Sequence, residues 1–249
     1  MIQVKSAPRT TTGSLVLVNA QNAIQAKTIN ENELVTLTSN GVLLHPTAAT
    51  QLQKCLRASK TENAILPVSG YRSNAEQTRL YATCLAENGP QFTRQFVALP
   101  GCSEHETGLA IDLAANQKEI DPICPHLPYT GVYAGFRAMA PQFGFIERYT
   151  KEKTDITGIG AEPWHFRYVG WPHSALIAQS KFALEEYIQH LHQHTSMQNP
   201  LQFSINGKKG GVYCIKPNEW EDLHEEKNDT NYSVSGDNQG YLVVATWNK

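Results

Sequence analysis

The chain has 249 residues, 41% of them hydrophobic and 18% charged, with a formal charge of −2 and a pI near 6.5. That is the composition of a soluble globular protein with enough length for one large domain and a small appendage, and the near-neutral charge gives no electrostatic footprint for nucleic acid. The N-terminal stretch MIQVKSAPRTTTGSLVLVNA holds only LVLV as an apolar run. That run is too short for a signal-peptide core or a membrane span, so the expected location is the cytoplasm. Five cysteines, at 55, 84, 102, 124 and 214, include no C-x-x-C pair and read as reduced, mostly buried thiols.

In chain order, SLVLVN and LVTLTSNGVLLH read as short strands, the second turning at Asn40-Gly41. Ala48, Leu52, Cys55 and Leu56 then fall on one helical stripe. NAILPVSGYRS is a strand ending at Gly70, and Ser73 with Glu76 forms a capping box that opens a helix over 74–87, stopping near Asn88-Gly89. Arg72 sits at that strand-to-helix junction, where a side chain can point into a cleft. GLAIDL, FIERY and WHFRYVG read as strands, GVYAGFRAMAPQFG as a helix closed by Gly144, and HSALIAQSKFALEEYIQHLHQH as a helix broken near Ser180. After about Gln198 the chain turns β-rich. The expected division is a main domain over 1–197 and an appendage over 198–249, packed on the main domain because its strands are few.

The chemistry-bearing residues lie in separate segments. CSEHETGLAIDL places His105 seven residues before Asp112, with Gly108 free to bend the chain between them. GAEPWHFRYVG places Glu162 three residues before His165, and Pro163 keeps that run from being helical. A catalytic zinc takes three protein ligands and keeps one position open, a count that His105, Asp112 and His165 meet. Glu162 then remains unligated, as a general base beside the metal must be, unless it serves only a surface salt bridge. Arg72 is the candidate stabiliser of a developing oxyanion. The charged loop NQKEIDPICP, over 116–125, is a candidate mobile lid. His190 and His194 complement a helix C-terminus, and His126 and His173 are expected to be structural, His173 with a possible supporting place beside the site.

SGYRS, LPGCSEHETGLAIDL and EPWHFRYVG, in that order, resemble the zinc-dependent D,D-peptidases of glycopeptide resistance, the VanX, VanY and VanXY enzymes. The likeness runs over roughly 40–195 and is nearest to the VanXY type. It implies an α+β, hedgehog/D,D-peptidase-type fold in which a small antiparallel sheet is flanked by helices. It also implies one zinc per chain on His105, Asp112 and His165, with Glu162 as base and Arg72 as transition-state stabiliser. Ser103 is implied as a contact for the substrate's terminal carboxylate, Gln77 as a cleft residue, and Trp164 as a pocket wall or ordinary core. Some dual-specificity relatives have an acidic residue just before the GYR glycine, where it could hold a free ammonium. Here that position is Ser69, which shifts the expectation from the free dipeptide toward longer peptides. The implied substrates are D-Ala-D-Ala and UDP-muramyl pentapeptide; the alternative is a zinc-bearing module that binds such peptides without cutting them. The sequence leaves the oligomeric state open.

Overall fold

The computed structural model describes residues 6–25, 30–37, 41–220 and 230–249. They group into two compact units, one drawn from described residues within 18–23 and 30–183 and the other from those within 6–17, 24–25 and 184–249.

In the larger unit, β1 (Val35–Thr36) pairs antiparallel with β2 (Leu43–Leu44). Asn40 of the expected turn lies outside the described residues, while Gly41 takes the left-handed φ of +82°. Helix α1 (Pro46–Ser59) buries Ala48, Leu52, Cys55 and Leu56, the stripe its spacing predicts. A fully buried leucine such as Leu52 is worth roughly 2 kcal/mol over an exposed one. Strand β3 (Ile65–Ser69) leads through Gly70 to α2 (Asn74–Phe96). The Ser73–Glu76 capping box forms in both directions, and the helix breaks at Gly89 (φ 77°, ψ 173°) as its sequence predicts. It then restarts at Pro90 and runs on to Phe96, beyond the stop expected at Asn88-Gly89; Pro is well suited to a first helical position.

Next come β4 (Ala110–Ala115), α3 (Val132–Met139), β5 (Phe145–Tyr149), the single-turn α4 (Thr154–Thr157), β6 (Glu162–Tyr168) and α5 (His173–Ser180). The four longer strands form one antiparallel sheet in the order β3-β4-β6-β5. Its two central strands are buried almost throughout. That inaccessibility suits a sheet whose middle carries chemistry, because polar side chains there are held by neighbours rather than by water. His173 is buried at the start of α5, where burial depresses its imidazole to about 3, so it is neutral at working pH.

The smaller unit comprises α6 (Leu184–His194), β7 (Leu201–Ile205), β8 (Lys208–Ile215), β9 (Thr230–Gly236) and β10 (Leu242–Asn248). Its strands form a second antiparallel sheet, β7-β8-β10-β9. Tyr213, Ile215, Leu242 and Val244 make a core there, with Met197 and Trp220 packed against it. The sequence puts the boundary at 197/198; the compact units meet in the chain at 183/184, which groups α6 with these strands. Helix α6 is tied to the C-terminal strands: the backbone N–H of Cys214 donates to Thr195, just beyond the helix, at 3.2 Å, and His192 contacts Asp237.

SLVLVN is not a strand. Leu15, Val16 and Leu17 are buried, but their backbone is satisfied by the β9–β10 region: the Leu15 N–H donates to Ser235 Oγ and the Leu17 N–H to the Asp237 carbonyl. Apolar content alone does not separate a buried irregular segment from a strand. Among the described residues no helix is long and apolar enough to cross a membrane.

Candidate active site

Strand register assembles the centre. Asp112, on β4, stands directly opposite Ser69 of β3 on one side and His165 of β6 on the other. His105 arrives from a 3-10 turn, Glu104–Thr107, that ends at Gly108 with φ +69°. That left-handed residue is the bend the sequence requires between His105 and Asp112, and glycine adopts it without a Cβ penalty. Gly70 has a different reason to be glycine, since a Cβ there would lie 2.1 Å from the Leu43 carbonyl oxygen. The close approach holds the Gly70 carbonyl where His105 Nδ1 meets it at 2.6 Å. A carbonyl can only accept, so Nδ1 carries the proton and Nε2 keeps its lone pair for the centre.

The donor atoms of His105, Asp112 and His165 lie within 4.8 Å of one another, and all three side chains are buried. His105 Nε2 is 3.1 Å from Asp112 Oδ2, and His165 Nδ1 is 3.0 Å from Asp112 Oδ1. The two imidazoles meet edge to face at 4.9 Å. Glu162 brings Oε2 to 3.7 Å from His165 Nδ1. Three residues apart in a regular strand, two side chains point to opposite faces. Here the β5–β6 register shifts between Glu147 and Tyr149, the latter opposite Glu162, and both side chains line one cleft.

Burial dominates the electrostatics. It pushes the Glu162 carboxyl up to about 8, against the pull of His165. Burial alone would raise Asp112 too, but His105 and His165 outweigh it and hold that carboxyl well below the usual carboxylate range. His165 would be lowered by burial, yet its contacts with Asp112 and Glu104 raise it to about 9. An ionised Asp112 carboxylate between two imidazoles is a donor set that suits a cation.

Arg72 closes the cleft from the β3–α2 junction. Its Nη1 donates to Gln77 Oε1 at 2.8 Å and its Nη2 is 3.9 Å from Asp112 Oδ2. Its Nε is buried without a hydrogen-bond partner. Gln77 spends both amide ends, one on Arg72 and the other donating to the Ala98 carbonyl at 2.7 Å. It lines the cleft as the support that aims the guanidinium. Ser103 caps the 3-10 turn without a side-chain capping bond, and its buried hydroxyl lines the cleft. Ser69 and Trp164 line it as well, Trp164 against Phe96 at 6.4 Å between ring centroids. The cleft has a volume of about 270 Å³, and Pro122 and Ile123 of the 116–125 loop stand at it.

Sequence reasoning missed Glu104. Its Oε1 accepts from Arg148 Nε at 2.8 Å and from Arg167 Nη1 at 2.7 Å, while Oε2 is 3.4 Å from His165 Nε2. None of the charged groups is accessible to water. Burial would raise the Glu104 carboxyl, but the two guanidinium groups hold it far below the ordinary range. Breaking such a buried cluster costs on the order of 3–5 kcal/mol. The signal was present in FIERY and WHFRY, where an arginine sits among apolar and aromatic residues in each of two strands; each arginine needs an anion once buried. All five cysteines are free thiols, and Cys102 and Cys124 form no bond.

Two imidazoles and a carboxylate that converge in a buried cleft, with a further carboxyl outside the donor set, define a metallohydrolase type of site. The N₂O donor set suits zinc. Residues 41–171 match the family model VanY, D-alanyl-D-alanine carboxypeptidase, and the chain belongs to that family. It is 47% identical over 161 residues to the bifunctional D-Ala-D-Ala dipeptidase and D-Ala-D-Ala carboxypeptidase VanXYC of Enterococcus gallinarum, covering 64% of this chain and 85% of that one. Among solved structures it resembles the vancomycin resistance D,D-dipeptidase VanXYg in complex with a D-Ala-D-Ala phosphinate analogue, with a TM-score of 0.87 and 38% identity over 96% of this chain and 95% of that one. It also resembles an E175A mutant of the VanY D,D-pentapeptidase in complex with Zn(II), with a TM-score of 0.60 and 34% identity over 70% of this chain and 98% of that one.

Proposed function

We propose that this chain is a zinc peptidase that hydrolyses the terminal D-Ala-D-Ala bond, both of the free dipeptide and of peptidoglycan precursor pentapeptides such as UDP-muramyl pentapeptide. The observation that carries the reading is the buried convergence of His105, Asp112 and His165, with Glu162 beside them and Arg72 across the cleft. His105 Nε2, an Asp112 carboxylate oxygen and His165 Nδ1 would hold one zinc per chain. Bound there, zinc supplies Lewis-acid polarisation of the scissile carbonyl and of the attacking water.

The chain's own residues do the rest. Glu162 takes a proton from the water as its oxygen attacks the carbonyl carbon. When the C–N bond breaks, Glu162 returns that proton to the leaving amine, so D-alanine departs as a neutral amine and the acyl part as a carboxylic acid that then ionises. The place of Glu162 beside the donor set, with Oε2 3.7 Å from His165 Nδ1, suits one carboxyl to both transfers. The Arg72 guanidinium, fixed by Gln77, is placed to stabilise the oxyanion that forms on the carbonyl oxygen. The Ser103 hydroxyl can donate to the substrate's terminal carboxylate. Trp164 and Phe96 wall the cleft from water, and Pro122 with Ile123 supports a covering role for the 116–125 loop. Ser69, opposite Asp112, leaves no carboxylate for a free ammonium at that position, which favours a blocked, longer peptide over the dipeptide. Five free thiols fit a reducing compartment, and the reading places the reaction in the cytoplasm.

Incubation of zinc-loaded protein with D-Ala-D-Ala and with a muramyl pentapeptide should release free D-alanine from both, with the higher kcat/KM on the pentapeptide, and chelation should abolish release. Binding of either peptide with no D-alanine released would instead support the non-catalytic module.

A further inference from the structure

The Glu104 cluster is not explained by folding alone. Buried ion pairs are often no more stabilising than apolar packing of the same volume, so a fully buried carboxylate facing two fully buried arginines asks for another role. Its two oxygens are divided. Oε1 takes both arginines, Nε of Arg148 and Nη1 of Arg167, and Oε2 is left facing His165 Nε2. The arginines come from β5 and β6, the strands on which Tyr149 and His165 are fixed, so the carboxylate is clamped by the same sheet that presents the imidazole.

We propose that Glu104 is the positioning residue for His165: its Oε2 accepts the Nε2–H bond, which directs the Nδ1 lone pair to the centre, and Arg148 with Arg167 hold the carboxylate in register for that task. The inference rests on the metal site proposed above. His105 is served in the same manner by the Gly70 carbonyl, but with the ring reversed, so that its Nδ1 is the supported nitrogen and its Nε2 faces inward. A charged acceptor strengthens the bond and raises the ligand's basicity, and loss of such an outer partner typically weakens metal binding by about 10- to 100-fold.

The test combines zinc affinity by chelator competition with proton exchange at the His165 ring by ¹⁵N-resolved NMR, in metal-free and zinc-loaded protein. Glu104→Gln removes the charge. Glu104→Asp keeps the charge for the arginines but withdraws the oxygen from His165, and it stands in if the glutamine variant does not fold. The wild type should show a slowly exchanging His165 Nε2–H. Glu104→Asp should speed that exchange by about tenfold or more and weaken zinc binding by about 10- to 100-fold. Exchange equally fast in wild type and Glu104→Asp, or unchanged zinc affinity in the folded variant, would overturn the proposal. A wild type that takes up no zinc would instead remove the metal reading, and the imidazole exchange in metal-free protein would still decide the role of Glu104.

Discussion

Glu162→Ala should bind zinc as the wild type does and lose turnover by roughly a thousandfold, whereas His165→Ala should lose zinc and turnover together. The separation follows from geometry. The Glu162 carboxyl stands 3.7 Å from His165 Nδ1 and outside the three-residue donor set, so its removal leaves that set intact. General acid–base groups contribute about 10²- to 10⁴-fold, and here one carboxyl serves both proton transfers. His165 is the cross-strand partner of Asp112 and supplies one of two nitrogen donors. Metal content by elemental analysis, measured beside D-alanine release, checks the pair. Equal zinc loss in both variants would make Glu162 a ligand and leave the site without its base.

Arg72→Ala should lower kcat by about a hundredfold or more, equivalent to ~2.7 kcal/mol, with a smaller change in KM. Its guanidinium is buried, burial pulls its pKa down, and it is held by Gln77 on one side with Asp112 near on the other. Arg72→Lys should recover little, because an ammonium cannot reproduce the planar fork that satisfies Gln77 and still presents a donor to the cleft. Steady-state kinetics with both substrates reads the split. A loss confined to KM would make Arg72 a substrate anchor and remove it from oxyanion stabilisation.

Most of the site could be read from the chain because its ligands sit in short segments whose backbone demands are visible. Gly108 announces the bend after His105, Pro163 announces extended backbone before His165, and the capping box after Arg72 announces the junction that places it. The convergence itself was not visible. It depends on Asp112 standing between Ser69 and His165 across three strands, and on a register irregularity that brings Glu162 round to the face of His165. Gln77 shows the same limit: its place at the cleft was expected, but its bond to Arg72 is a tertiary fact. Glu104 was overlooked although it adjoins His105, because its partners are 44 and 63 residues away on other strands. In the smaller unit, the stretch after Gln198 that reads as β-rich forms β7 to β10, whereas LVLV was apolar for a different reason. It is buried beside the β9–β10 region with side-chain and carbonyl partners in place of a ladder.

The most direct test of the account is the position of the metal. Crystals of the zinc-loaded protein, measured on both sides of the zinc absorption edge, should show one anomalous peak per chain, bounded by His105 Nε2, Asp112 and His165 Nδ1, with Glu162 outside bonding distance. A peak elsewhere, coordination through His165 Nε2, or no peak in protein that releases D-alanine would contradict it.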